Sequence, residues 1–183
     1  MKILATPLSL LAIMVSLTTF SQTSLVSSKN DHTEKTIIRS TEESQIHKIL
    51  LTALKAADLE ETLAGEGPFT VFAPSDGAFE QMSSEKITEL LRPENKRALQ
   101  SFVTYHIVAG NLTASKILKA MCSGKGTASL TTVQGNELLV TMDGVDIVLT
   151  DCFGNIARIT SAYFNQSNGV IHVIDRVIIP NQL

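Results

Sequence analysis

Four histidines, His32, His47, His106 and His172, are the side chains of this 183-residue sequence best suited to proton transfer or metal ligation near neutral pH. Either chemistry needs them grouped, two on one helix face or one beside a nucleophile, and their scatter along the chain denies that. His32 lies in a polar stretch and His47 falls on a predicted helix away from its apolar stripe, so both are expected to be solvated. His106 and His172 sit in apolar, strand-like segments, where a neutral imidazole with one hydrogen-bond partner is the commoner arrangement. A hydrolase built on either would need a Ser or Asp within hydrogen-bond reach and a third group to orient the ring. The sequence contains no His-Glu-x-x-His, Cys-x-x-Cys or Gly-x-Ser-x-Gly motif. Gly124-Lys125-Gly126-Thr127 has the composition of a phosphate loop without its upstream glycine spacing or its Gly-Lys-Ser/Thr order. Asp143, Asp146 and Asp151 lack the alternating ligands and closing Glu of a calcium loop, and turn chemistry accounts for Asp143-Gly144. Hence no catalytic residue, cofactor or metal site is predicted, and the chain is read as a non-enzyme.

Two cysteines, Cys122 and Cys152, offer redox chemistry whose outcome depends on compartment. Lys2 is followed by an apolar run from Ile3 to Phe20 free of acidic residues, the form of a secretory leader. Its Ser and Thr content, Pro7 and the polar stretch behind it fit a cleaved leader better than a membrane anchor, and Thr19 and Ser21 place cleavage after Ser21. The expected location is therefore secreted: periplasm, cell surface or extracellular medium, with no stable membrane insertion once residues 1–21 are removed. There a Cys122–Cys152 disulfide is the expectation, stabilising by about 3–4 kcal/mol on a chain-entropy account. Two separate thiols are the alternative. The chain carries 15 basic and 18 acidic residues, net −3, and losing Lys2 with the leader leaves 14 against 18, net −4. Nucleic acid is not an expected partner, because phosphate binding needs clustered Lys and Arg.

Behind these side chains stand the elements that must position them. Residues 22–39, rich in Ser, Thr, Lys and Asp, are expected to be a flexible spacer before a single domain over 40–181. Ser40 and Glu43 have the spacing of a capping box, and Ile46, Ile49, Leu50, Ala53, Leu54 and Ala57 then recur at helical intervals. A second short helix is predicted from Asp58, with Glu61 as its reciprocal cap, to Gly65. Phe69 to Pro74 reads as a short buried strand that the proline stops, after which Ser75 or Asp76 caps a turn carrying Ala78, Phe79 and Met82. One helix should follow Ser83 or Ser84. Another, with Pro93 in its first turn, should present Leu99, Phe102 and Val103 inward, and Thr113 should cap the helix bearing Ile117 and Leu118. Beyond Gly124 short alternating segments are separated by the turn pairs Gly135-Asn136, Asp143-Gly144, Gly154-Asn155 and Asn168-Gly169. Helices gathered ahead of antiparallel strands predict an α+β domain and argue against a doubly wound nucleotide-binding sheet.

Three segments then coincide with one family. Thr70-Val71-Phe72-Ala73-Pro74-Ser75-Asp76-Gly77-Ala78-Phe79 is similar to the first conserved block of the fasciclin (FAS1) family. Tyr105-His106-Ile107-Val108 with Gly110 resembles its central tyrosine-histidine segment, and Gly169-Val170-Ile171-His172-Val173-Ile174-Asp175-Arg176-Val177-Ile178-Ile179-Pro180 its second block. The three occur in the family's order across the domain. The resemblance, closest to the short secreted bacterial members, implies a wedge of mainly antiparallel β-strands with several helices packed along one side. It implies a cell-adhesion or extracellular interaction domain binding a protein or polysaccharide, with no cofactor. The alternative is a small-molecule binding or scavenging protein with a pocket between helices and wedge. In some animal members the tyrosine-histidine segment and an acidic-proline motif before the second block contribute to integrin binding. Tyr105 and His106 are thereby the candidate partner-binding residues, while Ser161 to Asn168 lacks the acidic-proline motif.

Overall fold

A computed structural model describes residues 35–181, and the leader, most of the spacer and His32 lie outside the described residues. Helical structure covers residues that the sequence assigns to the spacer. Thr36 caps helix α1 (Ile37–Glu43), its hydroxyl accepting the Arg39 N–H, and Ile37 and Ile38 are buried. Ser40 therefore lies inside a helix instead of starting one, and residues 37–39 are helical instead of spacer. The polar residues around Ile37-Ile38 hid a helix of only about two turns.

Helix α2 (Lys48–Ala56) buries Leu50, Ala53 and Leu54. Helix α3 (Glu60–Ala64) ends at Gly65 as expected, but its start is shifted. Asp58 takes a left-handed φ of 54° outside the helix, and Leu59 holds the cap position with no side-chain bond. Ser75 caps α4 (Asp76–Phe79), Ser83 caps α5 (Ser84–Leu90), and a 3-10 turn at Pro93–Asn95 leads into α6 (Lys96–Tyr105). Thr113 caps α7 (Ala114–Ser123) through the Lys116 N–H.

The strands are β1 (Phe69–Pro74), β2 (Ile107–Ala109), β3 (Thr127–Thr131), β4 (Glu137–Asp143), β5 (Asp146–Thr150), β6 (Ile156–Gln166) and β7 (Gly169–Ile174). They form one sheet in the order β2-β1-β7-β6-β5-β4-β3. Five neighbouring pairs are antiparallel, whereas β1 and β7 run parallel in register from Phe69↔Gly169 to Pro74↔Ile174. Both strands of that pair are buried on both faces, which is why they read as unbroken apolar runs. Gly169 makes the pairing possible. A Cβ there would stand 1.9 Å from the Phe69 carbonyl oxygen. The far edge curls back: Val108 bridges Thr132, and the Val133 N–H donates to Ile107 O at 2.7 Å, so the sheet nearly closes.

Because side chains alternate along β1, Val71 and Ala73 join one core and Phe72 the other. The first core packs α1 to α6 along one side of the sheet. The second fills the curl of β3–β7, with Ile117 and Met121 of α7 plugging it against Leu138, Val140 and Leu149. The outcome is an α+β wedge.

Candidate interaction surface

The tyrosine-histidine segment points inward. Leu99, Phe102, Val103 and Tyr105 share the buried stripe of α6, leaving Tyr105 0% and His106 1% exposed. The Tyr105 hydroxyl donates to Glu137 O at 3.3 Å, and burial, with Cys152 and Asp151 nearby, pushes the phenol up to about 12. His106 is the residue that ends α6, not a strand residue. Its Nδ1 donates to Phe102 O at 2.9 Å, which fixes the tautomer, and burial lowers its pKa to about 4. The expectation that Tyr105 and His106 form a contact surface is corrected by this burial, since neither side chain reaches solvent.

His172, on β7, stacks on Phe72 at 5.6 Å and donates from Nε2 to Leu112 O at 2.7 Å. Burial lowers its pKa. His47 is also corrected: it is 3% exposed, with Nδ1 2.8 Å from Ser44 Oγ, and burial lowers its pKa against the opposing charge of Asp76. Three neutral imidazoles thus serve the interior. Among the described residues no group of His, Cys, Asp and Glu is placed to hold a metal ion.

Cys122 and Cys152 are exposed and not bonded to each other. Cys122 lies on α7 away from its buried Ile117 and Met121, and Cys152 lies in the β5–β6 turn beside Ile179 O. Burial and the neighbouring Asp151 carboxylate raise the Cys152 thiol, keeping it protonated and a poor nucleophile.

The surface left open is the outer face of β3–β6. Register aligns Ser129, Leu139, Thr150 and Ile156 in one row across four strands. Their inner neighbours Leu138, Val140, Leu149 and Ala157 are fully buried, whereas Leu139 and Ile156 are 42% and 48% exposed. Phe153, in the β5–β6 turn, is 61% exposed. A groove of about 350 Å³ runs beside the row, lined by Ser129, Asn136, Glu137, Leu139, Thr150 and Asp151 among others.

Its rim is rigid. Oδ1 of Asp151 accepts from the N–H groups of Phe153 and Asn155, both at 2.9 Å, while Oδ2 accepts from Asn155 Nδ2 at 2.9 Å and from the Ile179 N–H at 3.0 Å. Four donors on one buried carboxylate hold the turn and the C-terminal segment together. Tyr105 braces the same place from within through Glu137. At the other end of the face, Arg158 pairs with Asp143 and Asp146. The signal for this face was present in the sequence: Leu138-Leu139-Val140 breaks a strand's alternation, and Phe153 and Ile156 flank a turn pair.

The fold defines the class of protein. A FAS1 domain pair from the insect cell adhesion molecule Fasciclin I aligns with a TM-score of 0.70, covering 79% of this chain and 51% of that one at 17% identity. Sequence then gives the family: the fasciclin-domain family model matches residues 45–180, and the chain belongs to the fasciclin family. Protein sll1483 of Synechocystis sp. is 36% identical over 91% of this chain and 86% of its own length. Human periostin is 30% identical over 80% of this chain but only 16% of its own length. The immunogenic protein MPB70 of Mycobacterium bovis is 32% identical over 67% of this chain and 55% of its own.

Proposed function

We propose that this chain is a secreted or surface-associated adhesion or interaction domain that holds a protein or polysaccharide partner against the open β3–β6 face. The observation that carries this reading is the row Leu139 and Ile156, with Phe153 beside it, exposed on a sheet whose opposite face is close-packed. A preformed apolar strip rimmed by polar groups loses little entropy on binding and gains by desolvation. Its apolar character favours a protein partner. Membership of the fasciclin family, whose fold is seen in a domain pair from an insect cell adhesion molecule, supports the same role. Among the described residues no helix is long and apolar enough to cross a membrane.

The test is capture of surface proteins and matrix glycans by the full chain, compared with a Leu139→Thr/Ile156→Thr variant. A saturable partner lost in the variant is the expected result; equal capture would move the contact elsewhere, and no capture by either would remove the role. Small-molecule binding has its own space, a cleft of about 470 Å³ lined by Met82, Lys86, Glu89, Leu90, Asn95, Ala98 and Ile179. A ligand seated there would raise the Tm of wild type and variant alike.

A further inference from the structure

Charge is unevenly spread over this molecule. From Ala98 to Asn136 the sequence has no Asp or Glu, although the whole chain has 18 acidic residues against 15 basic. The cations of that stretch are Lys116, Lys119 and Lys125. Since α7 buries Ile117 and Met121, the exposed Lys116 and Lys119 stand on its other side, with Ser115 and Ser123 exposed beside them. Lys125 follows in the turn to β3, held at φ 57° between two glycines. A Cβ on Gly124 would stand 1.9 Å from Thr127 O, so the turn is tightly closed and Lys125 projects from a defined place. Lys116 and Lys119 stand about 4.5 Å apart in helix rise, and Lys125 follows two residues beyond the end of α7.

These lysines differ from most of the chain's other cations in their surroundings, although Lys48, Arg97 and Arg176, each set apart from the others, also have no ion pair among the described residues. Lys35, Arg39, Lys55, Lys96 and Arg158 each pair with a carboxylate. Lys86 and Arg92 stand among Glu85, Glu89 and Glu94 in sequence. Lys116, Lys119 and Lys125 have no ion pair among the described residues; the Lys116 ammonium donates to Asn111 O at 2.7 Å. Unneutralised charge on an otherwise acidic molecule makes a local positive field, and a field of that kind draws in a polyanion.

We infer that the outer face of α7, with the Lys125 turn, is a docking surface for a linear anionic polysaccharide, carboxylated or sulfated. The row of ammonium groups meets a charge repeated along a chain, and the serine hydroxyls between them suit sugar hydroxyls. An anionic membrane fits less well, because Leu118 is the one large apolar side chain exposed on the helix and offers no apolar face to insert. A nucleic acid fits less well again, because residues 111–131 contain no aromatic side chain on which a base could stack.

The test uses the full chain on immobilised polygalacturonate, with neutral dextran as the control matrix and phosphatidylglycerol vesicles as the membrane arm. The wild type should be retained by polygalacturonate alone, and less so as salt rises. Lys116→Gln/Lys119→Gln/Lys125→Gln should weaken retention by about tenfold or more, because the three ammonium groups supply the local positive field. Lys48→Gln/Lys86→Gln/Arg92→Gln, which removes equal charge elsewhere, should change it little. Urea midpoints equal to wild type show that each variant is folded. Undiminished retention of the first variant, an equal loss in the second, retention on dextran, or binding to vesicles alone would each overturn the assignment. The Leu139→Thr/Ile156→Thr variant should keep full retention, which separates this surface from the sheet face.

Discussion

The β1–β7 half and the β3–β6 half of the sheet are built to opposite rules. Around β1 and β7 both faces are covered and the polar side chains are consumed internally. Asn168 accepts from the Ile37 N–H at 2.9 Å and donates to Leu63 O at 2.6 Å and Gly65 O at 2.9 Å, tying α1 and the end of α3 to the β6–β7 turn. Asp76 accepts from the Ile49 N–H at 2.9 Å, joining α4 to α2. Across β3–β6 the outer face buries Val148 but leaves the apolar side chains Leu139 and Ile156 in water. The three signature segments of the family all fall in or beside the first half, and the surfaces we assign to partners lie between them, on residues 113–156. In this chain the signature segments build the frame of the fold, with Val71, Phe72, Phe102, Tyr105, Ile171 and Ile174 all in its cores or buried stripes.

The largest expected effect breaks the frame at its closest approach. Gly169→Ala forces a methyl against the Phe69 backbone at a left-handed φ of 153°, and should cost more than about 3 kcal/mol, measured as a lowered urea midpoint or a failure to fold. A gain or no change would mean that β1 and β7 are not paired as described.

Acid titration probes the same half. Folded His106 has its pKa lowered from 6.5 to about 4, so between those values the unfolded chain binds the proton and the folded chain does not. Its contribution is complete above pH 6.5 and is lost as pH falls towards 4, amounting to roughly 3 kcal/mol. His47 and His172, shifted in the same direction by burial, add to the slope. In His106→Leu the stability difference from wild type should move in the variant's favour by about 3 kcal/mol between pH 7 and pH 4. Parallel pH profiles would show that His106 is solvated.

Asn168→Ala removes a staple with three bonds and leaves buried backbone groups unpaired, for about 2–4 kcal/mol by denaturation. At the small end, Leu139→Thr/Ile156→Thr should change stability by less than about 1 kcal/mol, because both residues are half-exposed, while abolishing partner capture. A large stability loss there would erase the contrast between the two halves.

Periodicity and turn chemistry made much of this structure legible. Pro74 ending β1, the Ser75 cap, the inward stripe Leu99-Phe102-Val103 and the Thr113 cap follow from local propensity, and so stand where they were expected. Elements defined by a weak or broken local signal were misjudged. Ile37-Ile38 is too short a period to mark a helix, and Asp58 takes a left-handed turn in place of a cap. The candidate site was the least legible part. Tyr105 and His106 were chosen by resemblance, yet whether a side chain faces a partner or a core depends on what packs over it.

The sequence by itself determined the order of most elements, the α+β class and the two apolar runs, because propensity, turns and alternation act over a few residues. Only the tertiary structure decided that β1 and β7 lie parallel, that His47, His106 and His172 are interior, and that Leu139 and Ile156 of β3–β6 are left exposed. Each of those outcomes depends on contacts between residues far apart in the chain, which local chemistry does not encode.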